Sequence, residues 1–234
     1  DDRLWHVHVH TDDPAAAIGA ARLGARSQVV VRLVEGAAQQ VAAGDDLGLV
    51  IATGEPGTAR FLATGGAVVV VRCPEEPVSA GHLARAVTDT GAAQVLVLAG
   101  DDELAGPARA VADLVPGVDV ELVGAPDALA TAVAALAVLG ARGSASARAD
   151  EAQAAVARLR AADVDVWGDL APTAEALVED AAGAVQALTV QHGPGAAYDD
   201  ALALREWLEG VYPDLDVVLV GPVVAGPRWR IGVD

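Results

Sequence analysis

The chain is 234 residues long with a net charge of −18, and all fifteen of its Lys+Arg positions are arginine. This balance argues against nucleic acid, because phosphate backbones need clustered positive charge, and the absence of lysine removes Schiff-base chemistry and a P-loop lysine. Hydrophobic residues reach 53% while aromatics reach only 3%, so the interior must be built from Val, Leu and Ala. Apolar runs stay near five residues, far short of the ~20 that span a bilayer, so no stable membrane insertion is expected.

The first element predicted is a strand over RLWHVHVH (3–10), whose alternation puts His6, His8 and His10 on one face and Trp5, Val7 and Val9 on the other. Asp12 or Asp13 ahead of Pro14 then starts a helix over 15–24, with a side-chain acceptor at the N-cap and proline in the first turn. QVVVRLV (28–34) reads as a second strand and closes a βαβ-like unit near Gly36. A polar connection, AAQQVAAGDD (37–46), follows.

From residue 47 the pattern changes to apolar strands alternating with Ala-rich helices. LGLVIAT (47–53), AVVVV (67–71), QVLVLAG (94–100) and VDVELVG (118–124) read as strands buried on both faces. The segments 58–64, 78–90, 103–114 and 126–139 read as the helices between them. Strand and helix in alternation imply a parallel sheet with right-handed crossovers.

GARGSASARAD (140–150) interrupts this pattern with small residues and is the best internal boundary. After it come a helix (151–162), a strand (163–168), a helix (173–186), a strand (187–193), a helix (198–212), a strand (215–221) and an exposed, arginine-bearing last strand (228–234). The fold class expected is α/β, with a parallel-sheet first lobe, a smaller α/β second lobe and a leading β-α-β unit. The domain bounds expected are 1–45, 46–142 and 143–234.

Several residue groups could carry chemistry. Histidines at i, i+2 and i+4 on a strand sit roughly 6–7 Å apart, so two of them could share a zinc ion with Zn–N distances of ~2.0–2.1 Å; a solvated or hydrogen-bonded strand face explains the pattern equally well. The Gly-bearing loops 52–59, 98–106 and 123–128 follow strands, but Glu55, Asp101, Asp102, Glu103 and Asp127 would repel phosphate, which leaves ordinary turns and caps. Cys73 lies beside Glu75 and Glu76, which raise a thiol pKa and oppose a nucleophilic role. As the single cysteine it forms no internal disulfide, which fits a reducing cytoplasm.

The remaining groups have structural readings. Ser79 and His82 read as helix surface without an orienting acid, and His192 reads as a turn residue. The pairs Asp12–Asp13, Asp45–Asp46 and Asp199–Asp200 read as helix caps. Trp207, Arg228, Trp229 and Arg230 suit either a partner surface or a sheet edge.

The motif VHVHTDDP (7–14), followed by a helix, a strand and GLVIATGEPG (48–57), resembles the Dak-type ATP-binding subunit of bacterial fatty acid kinase, a dihydroxyacetone-kinase-like or Dak phosphatase family. Members of that family join an ATP- and Mg²⁺-binding kinase domain, a middle dimerisation domain with a zinc site, and a C-terminal DegV-like domain that docks a fatty-acid-binding partner. The resemblance covers the back half of such a protein: 1 to about 45 as the end of the middle domain, and 46–234 as the C-terminal domain.

The absence of methionine and the abrupt opening DDRLW agree with a piece of a longer protein. The resemblance implies zinc ligands at His8 and His10, with His6 as a weaker candidate and the family's cysteine ligand upstream; Cys73 does not occupy that place. It implies homodimerisation through the middle domain, a cytoplasmic location, and no catalytic centre in these residues, since ATP and Mg²⁺ belong to the missing kinase domain of a fatty-acid phosphotransferase.

Strand-end loops near 53–58, 73–80 and 99–104 would then face a DegV-like fatty-acid-binding protein, with Thr53, Glu55, Cys73, Ser79, Asp101 and Asp102 as docking residues. Two of these loops and a third at 123–128 depart from the family: VRCPEEPVS replaces Gly-Gly-Gln-Thr-Met-Asn-Pro-Ser, AGDDELA replaces Pro-Asn-Asn-Lys-Asn, and VGAPDA replaces Val-Pro-Thr-Arg-Ser. The alternatives are a stand-alone lipid or small-molecule binding module, which an apolar cavity between two lobes would support, and a metal-dependent hydrolase centred on the histidines.

Overall fold

A computed structural model of the chain describes residues 5–21, 24–33, 47–181, 185 and 187–234. The chain opens without regular structure over 5–13 rather than as a strand. Trp5, Val7 and Val9 are exposed, as are His6, His8 and His10, so neither face of the alternating segment is covered. A strand needs a ladder partner for its backbone groups, and none lies beside this segment among the described residues. Arg3 and Leu4, at its start, lie outside them.

The helix start is as expected. Asp13 caps α1 (Pro14–Ala20) by accepting the Ala16 N–H at 2.9 Å, with proline in the first turn. The expected cap Asp45–Asp46 and the connection 37–46 fall outside the described residues.

The first sheet has the order β1-β3-β2-β4-β5, built from β1 (Val29–Val31), β2 (Leu47–Thr53), β3 (Val68–Val71), β4 (Gln94–Ala99) and β5 (Asp119–Gly124). β2 through β5 are parallel, while β1 joins β3 antiparallel. β1 and α1, which the sequence reading groups with a preceding domain, thus sit on this lobe: Ile18 is in the same core as Leu49 and Val69.

The Val/Leu runs form strands here because both faces are covered. Ile51, Val69, Leu96 and Leu98 face α2 (Ala59–Thr64), α5 (Ala128–Gly140) and α6 (Ala145–Arg158). The alternate residues Val50, Val70, Val95 and Val97 face α3 (Ala80–Thr90) and α4 (Asp102–Arg109). The alanines at 134, 135, 145, 149 and 152 let α5 and α6 close on the sheet, and α6 packs on this lobe although it follows the expected boundary.

The second sheet has the order β6-β9-β7-β8, from β6 (Arg160–Val164), β7 (Ala187–His192), β8 (Asp216–Val220) and β9 (Trp229–Val233), with α7 (Leu170–Asp180) and α8 (Tyr198–Val211) on one face. Two expectations change here. Residues 160–162, read as the end of a helix, are strand, because β9 offers them an antiparallel ladder in which Arg160 pairs with Val233 and Ala162 with Ile231. The last strand is central rather than exposed: Trp229, Ile231 and Val233 drop into the core beneath α7 and α8, and Arg230 projects from the opposite face. No helix among the described residues is long and apolar enough to cross a membrane.

Candidate functional site

The C-terminal ends of β2, β3 and β4 bring one cluster together. Thr53 ends β2 almost fully buried, and its Oγ1 accepts the Glu55 N–H at 3.0 Å. The Thr58 hydroxyl donates to the Glu55 carbonyl at 2.8 Å, which tightens the turn. Arg72, following β3, holds Asp101 at 3.3 Å and also pairs with Glu103. Gly54 lies beneath them, where a Cβ would sit 2.6 Å from an Arg72 guanidinium nitrogen and would push that side chain aside.

Glu55, half-buried, reaches toward the second lobe, where its carboxylate accepts the Val224 N–H at 2.7 Å. Burial lifts its pKa above the ordinary value, opposed by that N–H and by Arg72. Beside it the lobes touch backbone to backbone, for a Cβ on Gly57 would sit 1.8 Å from the Pro222 carbonyl oxygen. Farther along the joint Arg230 pairs with Asp127 at 3.2 Å, and Asp127 also caps α5.

The second-lobe side of this joint is polar. Thr189 and Gln191 of β7 lie opposite Gly232 and Arg230 of β9 and share their face. A Cβ at Gly232 would meet Leu129 of α5 and Leu159, so that face is the one turned toward the first lobe. Thr189 Oγ1 and Gln191 Oε1 are buried without a hydrogen-bond partner. His192, expected in a turn, instead ends β7 at 4% exposure; burial lowers its pKa, and its Nδ1 has no hydrogen-bond partner.

The other docking candidates lie on the first lobe's edge. Ser79 is exposed and forms a capping box with His82 at the start of α3. Asp101 caps α4 through the Leu104 N–H at 3.0 Å, and Asp102 is exposed in that helix's first turn. Cys73 is buried, which raises its thiol pKa, and it bridges to Glu76. The neighbouring Glu75 is held by Arg26 at 2.7 Å.

Sequence reasoning missed Arg72, Thr58, Val224 and the Arg230–Asp127 pair. Arg72 could have been found as a cation at a strand end in a strongly acidic chain. The contact at Val224 is 169 residues from Glu55 in sequence and leaves no local signal.

The histidines form a smaller group. His8 Nε2 and His10 Nε2 stand 3.1 Å apart, close to the ~3.3 Å separation of two tetrahedral ligands on one zinc, so this pair fits half of a coordination shell. His6 does not join them, and among the described residues no three His, Cys, Asp or Glu side chains gather as a metal site.

Set against known proteins, the chain matches no family model and no curated sequence. Solved structures do match. A crystal structure of DegV, a fatty acid binding protein from Bacillus subtilis, superposes at a TM-score of 0.56 with 13% identity, covering 80% of this chain and 98% of that one. The fold is DegV-like. A DegV family protein from Thermus thermophilus, solved for its fatty acid binding, superposes at 0.50 with 14% identity and the same coverages. At such identities the likeness concerns the two-lobed α/β arrangement alone.

Proposed function

We propose that this DegV-like region is a non-catalytic docking module of a fatty acid kinase ATP-binding subunit, holding a DegV-like fatty-acid-binding partner for a kinase domain elsewhere in the protein. The observation that carries this reading is the closed joint between the lobes. Gly57 lies against the Pro222 carbonyl, Glu55 is tied to Val224, and Leu129 and Leu159 lie over Gly232. Protein atoms occupy these three points between the lobes, which supports recognition on the surface over a cavity between them. The surface on offer is the strand-end rim with Ser79, Asp102 and Glu103 exposed, while Thr53 and Cys73 support it from within.

His8 and His10 would hold a zinc ion together with ligands from another segment or chain, and the metal would be structural, crosslinking this segment to the domain it belongs to. A homodimer through that domain and a cytoplasmic location belong to the same reading.

One observation favours a second reading, a stand-alone lipid-binding module. The buried, unpartnered Thr189 Oγ1 and Gln191 Oε1 could meet a polar head group if the lobes parted. Calorimetric titration separates the two. A docking module binds a fatty-acid-loaded DegV-type protein and gives no heat with the free fatty acid; saturable binding of free fatty acid would replace the first reading with the second.

A further inference from the structure

β6 is hydrogen-bonded along one side only, to β9, and its other side is an edge of the sheet among the described residues. Arg160, Ala161 and Asp163 of this strand are exposed. An open edge carries a row of backbone N–H and C=O groups ready to pair with another chain, and proteins usually blunt it with lysine, proline or a covering element. β6 is short and carries the charges of Arg160 and Asp163, but it has no proline, and two of its five residues are alanine.

A groove of about 910 Å³ runs between β6 and α7. Ala162 and Val164 line it from the strand, and Pro172, Thr173, Ala176 and Leu177 line it from the helix. Those four helix positions fall on one stripe, one turn apart. Val166 is 59% exposed where the strand runs out, and Trp167 beside it is 46% exposed with its ring edge-on to Trp229 at 6.0 Å. The floor is apolar and continuous with the second-lobe core that holds Val164 and Leu177.

The rim is acidic. Asp163, Asp165, Asp169 and Asp180 all border the groove. Asp163 is engaged by Arg230 at 3.5 Å, and Asp165 accepts the Arg228 N–H at 3.0 Å. Asp165, Asp169 and Asp180 have no cation partner among the described residues, so uncompensated charge lies past the end of β6 and at the two ends of α7.

We propose that this groove receives an extended, basic segment of a partner protein, added as an extra strand on β6. Backbone pairing to the edge supplies the attachment, alternate apolar side chains drop onto Val164 and Leu177, the intervening cations face the Asp163 side of the sheet, and cations at the two ends of the segment reach Asp169 and Asp180. A strand edge beside a helix selects an extended chain over a helical one, because the unpaired backbone groups are what remain to be satisfied. This site lies away from the strand-end rim of the first lobe and does not depend on the docking role proposed for that rim.

Two fluorescein-labelled peptides test it on the full chain: one alternating arginine and valine, and one of the same length and charge alternating arginine and proline, which cannot pair along a ladder. Fluorescence anisotropy should show the arginine–valine peptide binding at least about tenfold more tightly, and backbone amides at 161–163 should gain exchange protection in its presence. Ala176→Arg fills the groove from an exposed helix position and should weaken binding about tenfold. Asp180→Arg, at the helix end, should weaken it as well, and an unchanged circular dichroism spectrum checks that each variant is folded. Equal binding of the two peptides would reduce the site to charge attraction and overturn the proposal. So would a lack of binding, unchanged exchange at β6, or indifference to both substitutions.

Discussion

The two lobes solve the same packing problem with different chemistry. In the first, every residue of β2 and β3 is buried, and the strands divide their side chains between two apolar cores. In the second, only the face under α7 and α8 is apolar; the other carries Thr189, Gln191 and Arg230 and leans on the first lobe through Asp127, Leu129 and the turn at Glu55. A sheet covered by helices on both faces has no surface to spare. A sheet covered on one side keeps a polar face, and here that face forms the joint between lobes.

Substitutions should separate the lobes by size of effect. The largest is expected for Leu98→Ala, which empties a fully buried position in the first lobe and should cost about 2–5 kcal/mol in denaturant unfolding. Next comes Gly57→Ala at the joint, whose new Cβ collides with backbone that cannot swing aside; a loss of about 1–3 kcal/mol is expected. If Gly57→Ala is silent, the lobes are not held together at that point.

A smaller effect, and of the opposite sign, is expected for Thr189→Val on the polar face. It replaces a buried hydroxyl that has no partner with a methyl of similar shape, and melting should show an unchanged or slightly higher midpoint. Marked destabilisation would mean that the hydroxyl is satisfied in solution. The smallest change belongs to the exposed helix pair Arg85–Asp89: Arg85→Ala should shift stability by less than about 0.5 kcal/mol.

Acid sensitivity also distinguishes the two lobes. His192 has its pKa lowered by burial, so the unfolded chain binds the proton first. Its contribution is complete above the ordinary histidine value of 6.5 and is lost as pH falls from there through the folded value. Glu55 runs the other way, because burial raises its carboxyl pKa: its contribution is present below the ordinary value of 4.5 and is lost as pH rises through the folded value. His192→Gln should flatten the loss below pH 6.5, and Glu55→Gln should flatten the decline above pH 4.5, both read from denaturant midpoints across pH.

The same contrast explains what could be read from the sequence. The first lobe's central strands were legible because uninterrupted runs such as VVVV at 68–71 suit a sheet buried on both faces. The second lobe's ladder was not: residues 160–162 carry a helical pattern, and only β9, some 70 residues on, makes them strand. Trp229 and Ile231 alternate with arginines, a pattern that fits an exposed edge as well as a central strand with one polar face. The caps at Asp13 and Asp101 were local and legible; Ser79, read as helix surface, is instead the N-cap of α3, and the Glu55–Val224 contact that defines the joint was neither local nor legible. The segment 5–10 has the strand alternation but no neighbour to pair with among the described residues, so periodicity there did not become structure.

The central claim, that the lobes are closed on each other and the strand-end rim is the working surface, is tested most directly by hydrogen exchange. Amides should be followed in the chain alone, with a free long-chain fatty acid, and with a fatty-acid-loaded DegV-type protein. The expected result is new protection at 75–80 and 101–104 only with the loaded protein, and no change at 187–192 with the free fatty acid. Protection at 187–192 on adding fatty acid alone would show that the joint opens to hold a ligand, and would contradict the account.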